Sequence, residues 1–187
     1  MKKIFLALSL LSLAACSVQT PKQVTGNPLV EAQYYDELAD RLASLIITND
    51  PMLKDTSMRA YIDKTIADAK NSAGEAHDKQ SAGIMGRMIP AKQQNDGTAL
   101  YVHDTLYFSS DFFSDPGPDL HVYMTQAVDP RDIAFPDKTA LDLGSLQTPY
   151  GAQQYAVPHQ EQKDLYRTVV LYDKGTKRVY GFVQLSK

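Results

Sequence analysis

Cysteine is nearly absent from this chain of 187 residues, and tryptophan is absent altogether. Cys16 is the single cysteine, so the chain cannot form an internal disulfide, and it lacks the Cys-x-x-Cys-His run that attaches haem. Zinc–thiolate sites and iron–sulfur clusters, which use several cysteines, are excluded for the same reason. If Cys16 is covalently modified, no thiol remains, and stability must come from packing alone.

Positive charge is not in excess either. The 19 lysines and arginines are outnumbered by 22 aspartates and glutamates, and the net charge is −3. Because affinity for a phosphate backbone depends on clustered cations, nucleic acid is not a predicted partner. The sequence also lacks Gly-x-Ser-x-Gly, Ser-x-x-Lys and a glycine-rich phosphate loop. Motifs therefore predict no catalytic residue and no enzyme.

The first sixteen residues have the pattern of an export signal. Lys2-Lys3 precede an almost wholly apolar run, Ile4 to Leu13, and Ala15 provides a small residue before Cys16. The run is about ten residues, well short of the roughly 20 that a permanent membrane-spanning helix needs. We therefore expect residues 1–15 to be a signal peptide that is removed.

The four residues Leu13-Ala14-Ala15-Cys16 resemble the lipobox of bacterial lipoproteins. The resemblance implies cleavage between Ala15 and Cys16 and covalent lipid on Cys16, with no other cofactor expected. Ser17 then favours the outer membrane, facing the periplasm, in a cell with two membranes. The membrane is the predicted partner, with an envelope protein or a small ligand as further possibilities. The alternative is an ordinary signal peptide with a cysteine placed by chance.

The segment after the signal divides into a polar tether, residues 16–26, and a helical region with a linker, residues 27–88. Asn27-Pro28 is typical of a helix cap followed by proline in the first turn. Two apolar stripes at spacings of three and four residues predict one or two helices. They are Tyr35, Leu38, Leu42, Leu45, Ile46 and then Met58, Ile62, Ile66, Ala69, Ala73. Three glycines beyond Ala73 predict a linker there.

From Gly97 onward, β-branched and aromatic residues alternate with polar ones, and turn residues recur about every ten positions. The pattern predicts seven short strands. They are Thr98–Val102, Thr105–Phe108, Leu120–Thr125, Leu141–Leu143, Gln153–Val157, Thr168–Tyr172 and Val179–Leu185. The expected fold is α+β, with the N-terminal helical segment followed by an antiparallel β-sandwich or barrel in residues 89–187.

Several runs in the β-rich half occur in the order of a known family. They are Gly97-Thr98-Ala99, Gly117–Tyr123, Leu143–Leu146, Gly151–Pro158 and Thr168–Tyr172. Together they resemble the Skeletor-type DM thirteen domain, described as electron transfer, over about Ile89 to Leu185. The resemblance implies a small β-sandwich of the kind found on bacterial envelope proteins. The motif residues that it assigns to the fold are Gly117, Pro118, Asp119, Tyr123 and Pro158.

This chain departs from that family near the end of the domain. The family's last strands carry isoleucine-tryptophan-cysteine, and ungapped counting places Leu171, Tyr172 and Asp173 on those positions. A carboxylate can neither cycle between thiol and disulfide nor offer soft sulfur to copper or haem iron. If the family transfers electrons through that cysteine, this chain does not do so by the same route.

Three functions are compatible with these patterns. The first is a non-catalytic binding or interaction module tethered by Cys16. The second is a redox accessory protein, as the family description implies. The third is a structural envelope lipoprotein whose helical region associates with itself or with another protein.

Histidines, carboxylates and one tyrosine are the candidate ligand or metal residues. Three histidines in separate β-segments, His103, His121 and His159, could converge on a metal, although their spacing does not require it. Tyr172 and Asp173 are included because they replace the family's tryptophan and cysteine. Asp111, Asp115 and Asp119 could hold calcium or, more simply, cap the turns around a proline loop. The identity of any metal is unknown from sequence.

Overall fold

The computed structural model describes residues 26–187, so the signal segment 1–15, Cys16 and nearly all of the tether lie outside the described range. Within it, two helices precede an antiparallel, nearly closed sheet of eight strands. The predicted α+β class is confirmed. No helix in this part of the chain is both long and apolar enough to cross a bilayer.

The two helices begin at side-chain caps and pack against each other as a hairpin. Helix α1 spans Pro28–Ile47, and Asn27 Oδ1 accepts a hydrogen bond from Leu29 N at 3.1 Å. A short 3₁₀ helix, Pro51–Lys54, leads to α2, Thr56–Ala82, which Asp55 caps by accepting from Ser57 N at 2.8 Å. These caps satisfy backbone N–H groups that a helix start leaves unpaired.

The linker expected beyond Ala73 is absent, and that prediction was wrong. Helix α2 continues to Ala82, because Gly74 costs an exposed helix only about 1 kcal/mol and the helix goes on burying Ala76. Gly83 and Gly86 stand where backbones approach closely: a side chain at Gly83 would meet Tyr101 O, and one at Gly86 would meet Gln184 O. These two glycines therefore allow the segment that begins at Gly83 to pack closely against its neighbouring strands, and they do not mark a linker.

The large sheet has eight strands in the order β7-β6-β9-β10-β1-β3-β4-β8, and every pairing is antiparallel. Strands β2 and β5 form a separate two-stranded ribbon. The bounds are β1 Ile84–Pro90, β2 Asn95–Asp96, β3 Thr98–Val102, β4 Thr105–Phe108, β5 Phe113–Ser114, β6 Leu120–Thr125, β7 Leu141–Ser145, β8 Gln153–Ala156, β9 Thr168–Asp173 and β10 Arg178–Gln184.

All seven predicted strands are present, with ends that differ by at most two residues. Strand β1 was not predicted, although it joins the two halves of the sheet by pairing with both β10 and β3. The outer strands β7 and β8 approach each other, and Gln147 N beyond β7 donates to Tyr155 Oη on β8 at 3.0 Å. The sheet is therefore barrel-like.

Apolar side chains fill the inside of the sheet and also cover part of its outside. The inner cluster includes Phe108, Val122 and Leu171, all fully buried. A second cluster on the outer face joins Val170 and Phe182 to their neighbours under the loop that follows β6. Strand β9 is consequently buried on both faces.

Candidate functional site

Most of the predicted site residues meet at one end of the sheet, which we call the Asp173 end. Leu120 at the start of β6 pairs with Asp173 at the end of β9, and Asp173 pairs with Arg178 at the start of β10. The proline loop before β6 and the β9–β10 turn therefore lie together. The predicted residues at this end are Gly117, Pro118, Asp119, His121, Tyr123, Tyr172 and Asp173.

His103, Pro158 and His159 lie at the opposite end. His103 is in the β3–β4 turn, and Val157 N donates to Asp104 O at 2.8 Å, which brings the segment after β8 to the same turn. Strand β1 runs between the two ends of the sheet: Pro90 pairs with Gly181 near the Asp173 end, and Ile84 pairs with Tyr101 near His103. The structure thus does not bring His103 and His159 together with His121. In residues 26–187 no group of three His, Cys, Asp or Glu side chains is arranged to hold a metal ion.

The three aspartates around the proline loop are used separately. Asp111 accepts a hydrogen bond from Ser109 Oγ, and Asp115 Oδ2 accepts from Gln94 N at 2.7 Å. Asp119 lies instead beside the ring of His121. These contacts neither join the three carboxylates in one calcium site nor cap the turns of their own loop.

Asp173 is fully buried, with 0% of its surface exposed, and it organises the turn that follows β9. Its carboxylate accepts from Thr176 N at 2.6 Å, from Thr176 Oγ1 at 2.9 Å and from Asp119 N at 3.1 Å. Burial alone would raise the pKa of Asp173, but these hydrogen bonds outweigh it and hold the pKa below its ordinary value. Gly117 packs against the same carboxylate, where a larger side chain would collide with it. Asp173 is therefore a buried, charged residue that holds the β9–β10 turn against the start of β6.

His121 forms the centre of a hydrogen-bonded chain on the outer face of β6 and β7. Its Nδ1 lies 2.8 Å from Asp142 Oδ1, and its Nε2 lies 3.1 Å from Ser145 Oγ. We call these three residues the His121 relay. Because an ionised carboxylate only accepts hydrogen bonds, Nδ1 carries the proton and Nε2 is free to accept from the serine hydroxyl. Asp119 Oδ1 is also near Nε2, at 3.4 Å.

Asp142 is held in place by three further donors. Tyr123 Oη donates at 3.0 Å, Gly144 N at 2.9 Å and Lys174 Nζ at 3.3 Å. Burial alone would raise the pKa of Asp142, but the hydrogen bonds from His121, Gly144 and Tyr123 keep it below its ordinary value. Burial and the adjacent carboxylate also raise the pKa of Tyr123, so that phenol stays protonated and donates.

A β-bulge explains why Asp142 and Ser145 reach the same histidine. Side chains three apart on a regular strand point to opposite faces. Here the register shifts between Val122 and Tyr123, so that Leu143 lacks a partner, and Gly144 has φ +112°. The extra residue turns both polar side chains toward His121.

Beside this relay, aromatic rings lead across the outer face to a groove. Tyr123, Phe135 and Tyr172 contact one another edge to face, with ring centroids 5.3–6.0 Å apart. Phe135 and Tyr172 then line a groove of about 400 Å³. Its cations are Lys92, Arg131, Lys177 and Arg178, and we call it the cationic groove.

Asp142, Ser145, Phe135 and the groove cations are functional candidates that the sequence did not predict. The relay residues are separated by 21 and 24 positions and meet only through the β6–β7 pairing. No local motif predicts their contact, because a cross-strand contact with a bulge has no fixed spacing in sequence. The groove cations come from three separate loops or strand ends, so they form no basic run in the sequence.

Comparison with known proteins gives one family. The family model described as DM13, electron transfer, matches residues 89–185, from within β1 to just beyond β10. No match was found among curated proteins or among solved structures. The matched region contains the His121 relay, Asp173 and the cationic groove, whereas α1 and α2 precede it.

Proposed function

The chain belongs to the DM13 family, whose description is electron transfer. Within that family, we propose that this chain is a lipid-anchored envelope protein whose DM13 domain is a binding module. The ligand is a small anion with a planar or apolar body, and it binds in the cationic groove. The observation that carries this proposal is the concentration of cations around an aromatic wall. Binding of this kind requires no catalytic step.

The electrostatics of the groove favour an anion. The whole chain has a net charge of −3, yet four cations line this one surface. Within the described residues, Lys92, Lys177 and Arg178 have no carboxylate oxygen within 4.0 Å of their charged nitrogens, whereas Asp129 pairs with Arg131 at 2.6 Å. Unpaired cations in a concave site raise the local concentration of anions.

The side chains that line the groove favour an anion whose uncharged part is apolar or planar. Phe135 and Tyr172 contact each other at 5.3 Å between ring centroids, and Ile133 beside them is exposed. Arg131 is fixed with its guanidinium 4.8 Å above the ring of Phe182. A larger cleft of about 600 Å³ near Leu165 offers only one cation, Arg167, so it matches such a ligand less well.

The lipid anchor is supported by sequence. Leu13–Cys16 ends a short apolar run behind two lysines, and the polar residues 17–26 would connect the lipid to α1. Ser17 supports placement at the outer membrane facing the periplasm. The covalent lipid on Cys16 is the only cofactor that this proposal includes.

The binding proposal is tested with a pair of fluorescent probes, 1-pyrenesulfonate and neutral 1-pyrenemethanol, titrated into the full-length protein and followed by anisotropy. We expect the sulfonate to bind more tightly, and its Kd to rise with salt. The double variant Lys177→Ala, Arg178→Ala should weaken sulfonate binding by about five- to tenfold, because each exposed pair contributes up to about 1 kcal/mol.

The matched control is Lys54→Ala with Lys70→Ala, which removes the same charge from the helical hairpin. It should leave the Kd unchanged. Equal affinity for the charged and neutral probes, or equal loss in both double variants, would show that the groove is not an anion site.

A further inference from the structure

We propose that Ser145 is an activated nucleophile that accepts acyl groups from small, uncharged esters. This activity goes beyond ligand binding and uses a different part of the outer face from the cationic groove. The proposal is based on the geometry of the His121 relay, on the fixed position of its carboxylate and on a cleft beside the serine.

The relay places a nucleophile, a base and an orienting carboxylate in series. Ser145 Oγ and His121 Nε2 are 3.1 Å apart, and His121 Nδ1 and Asp142 Oδ1 are 2.8 Å apart. Both distances lie within the 2.6–3.2 Å over which a base can take a hydroxyl proton. Nucleophile and base are recognised by such geometry rather than by their order along the chain.

Two structural features keep the relay in this arrangement. The side chain of His121 is only 13% exposed, so its ring cannot rotate freely into solvent. Asp142 keeps its charge and position through donors from Tyr123, Gly144 and Lys174. It acts on the serine only through the imidazole, and it is therefore a positioning residue.

Ser145 is exposed and lines a cleft of about 280 Å³. The cleft is formed by the proline loop and the segment after β7, and Pro116, Gly117, Leu120, Leu146 and Pro149 line it together with Ser145. Asp119 lies at its edge and would repel an anionic acyl group. The expected substrate is therefore a small ester whose acyl group carries no charge.

The chemical step balances without any further reactant except water. Ser145 Oγ bonds to the ester carbonyl carbon while its proton passes to His121 Nε2. The carbon–oxygen bond to the alcohol then breaks, and the alcohol leaves with that proton. Water repeats the sequence and releases the acid. The imidazolium formed in each half lies between Asp142 and Asp119, which stabilises its charge.

The test is covalent labelling of the folded, full-length protein with an alkyl fluorophosphonate, followed by peptide mapping. We expect one adduct on Ser145, with loss of fluoride. His121→Gln and Asp142→Asn should each slow labelling about 100-fold or more, the usual contribution of a positioned base. Hydrolysis of p-nitrophenyl acetate should fall in parallel.

Two control variants separate this activity from general reactivity. His103→Gln changes a histidine at the opposite end of the sheet, and Lys54→Ala with Lys70→Ala changes two exposed lysines of the helical region; neither should alter labelling. An unlabelled Ser145 in the folded wild-type protein would overturn the proposal, as would wild-type labelling in folded His121→Gln. The first result needs no variant, so it does not depend on how the variants fold.

Discussion

Asp173 illustrates how one buried carboxylate can hold two segments of the fold together. In this chain its buried carboxylate accepts hydrogen bonds from the β9–β10 turn and from the start of β6. A thiol could not accept these bonds with comparable strength, because charge-assisted hydrogen bonds are about twice as strong as neutral ones. The residue therefore links the two segments whose proximity creates the Asp173 end.

We expect Asp173→Asn to reduce the free energy of unfolding by about 1–3 kcal/mol at neutral pH, since an amide nitrogen would face backbone donors. The loss should depend on pH. The folded pKa of Asp173 is below the unfolded value of about 3.9, so its contribution is complete above that value and disappears as the pH falls through the folded pKa.

Urea unfolding of wild-type and variant protein across pH 3 to 7 measures this contribution. The two curves of unfolding free energy against pH should be well separated at neutral pH and converge on acidification. Asp68→Asn, at an exposed site on α2, is the matched control and should show almost no separation. A constant separation at every pH would contradict a role for the Asp173 charge.

At the scale of elements, β9 is the most enclosed strand of the sheet. Val170 is 0% exposed and contacts the outer cluster, while Leu171 fills the inside. Val170→Asp should lower the free energy of unfolding by about 3 kcal/mol or more, because an unpaired charge would enter an apolar layer. Thermal and urea unfolding check this result.

Gln154→Asp provides the comparison for Val170→Asp. Gln154 is exposed on β8, which is an edge strand of the sheet, whereas β9 is internal. The same charge there should change the unfolding free energy by no more than about 0.5 kcal/mol. Equal melting of Val170→Asp and the wild type would mean that the outer cluster is not a packed layer.

Elements with a clear period could be predicted from the sequence, and those dominated by packing could not. The stripes of α1 and α2 and the alternation in β4 gave the correct elements, because each buries one face more than the other. Strand β1 resembled a linker, since its glycines fit close backbone contacts that only the folded sheet contains.

The candidate site was only partly predictable for a related reason. His121 and Asp119 were identified because they belong to a recognisable run. Asp142 and Ser145 join them only through strand register and a bulge; Asp142 has no local signal in sequence, and the run Leu143–Leu146 does not indicate that Ser145 contacts His121. Phe135 and Arg131 reach the cationic groove through a loop whose path depends on tertiary contacts.

At the scale of the whole molecule, the proposed attachment to a membrane would depend on one atom, the sulfur of Cys16. Cys16→Ser should release the protein into the soluble fraction and abolish labelling with a radioactive fatty acid, because no other lipid acceptor is proposed. Ser17→Ala keeps the sulfur and should remain in the membrane fraction. Persistent membrane association of Cys16→Ser would contradict the lipid-anchor proposal.

The position of β10 in the sheet has a consequence for biogenesis. It is the last strand in chain order, yet it lies between β9 and β1 and joins β7-β6-β9 to β1-β3-β4-β8. Until Arg178–Gln184 arrive, both halves expose unpaired strand edges and the sheet cannot close. The sheet therefore closes only after β10 has been added to the chain. A fragment that ends before β10 would keep two open strand edges, which favour aggregation or degradation.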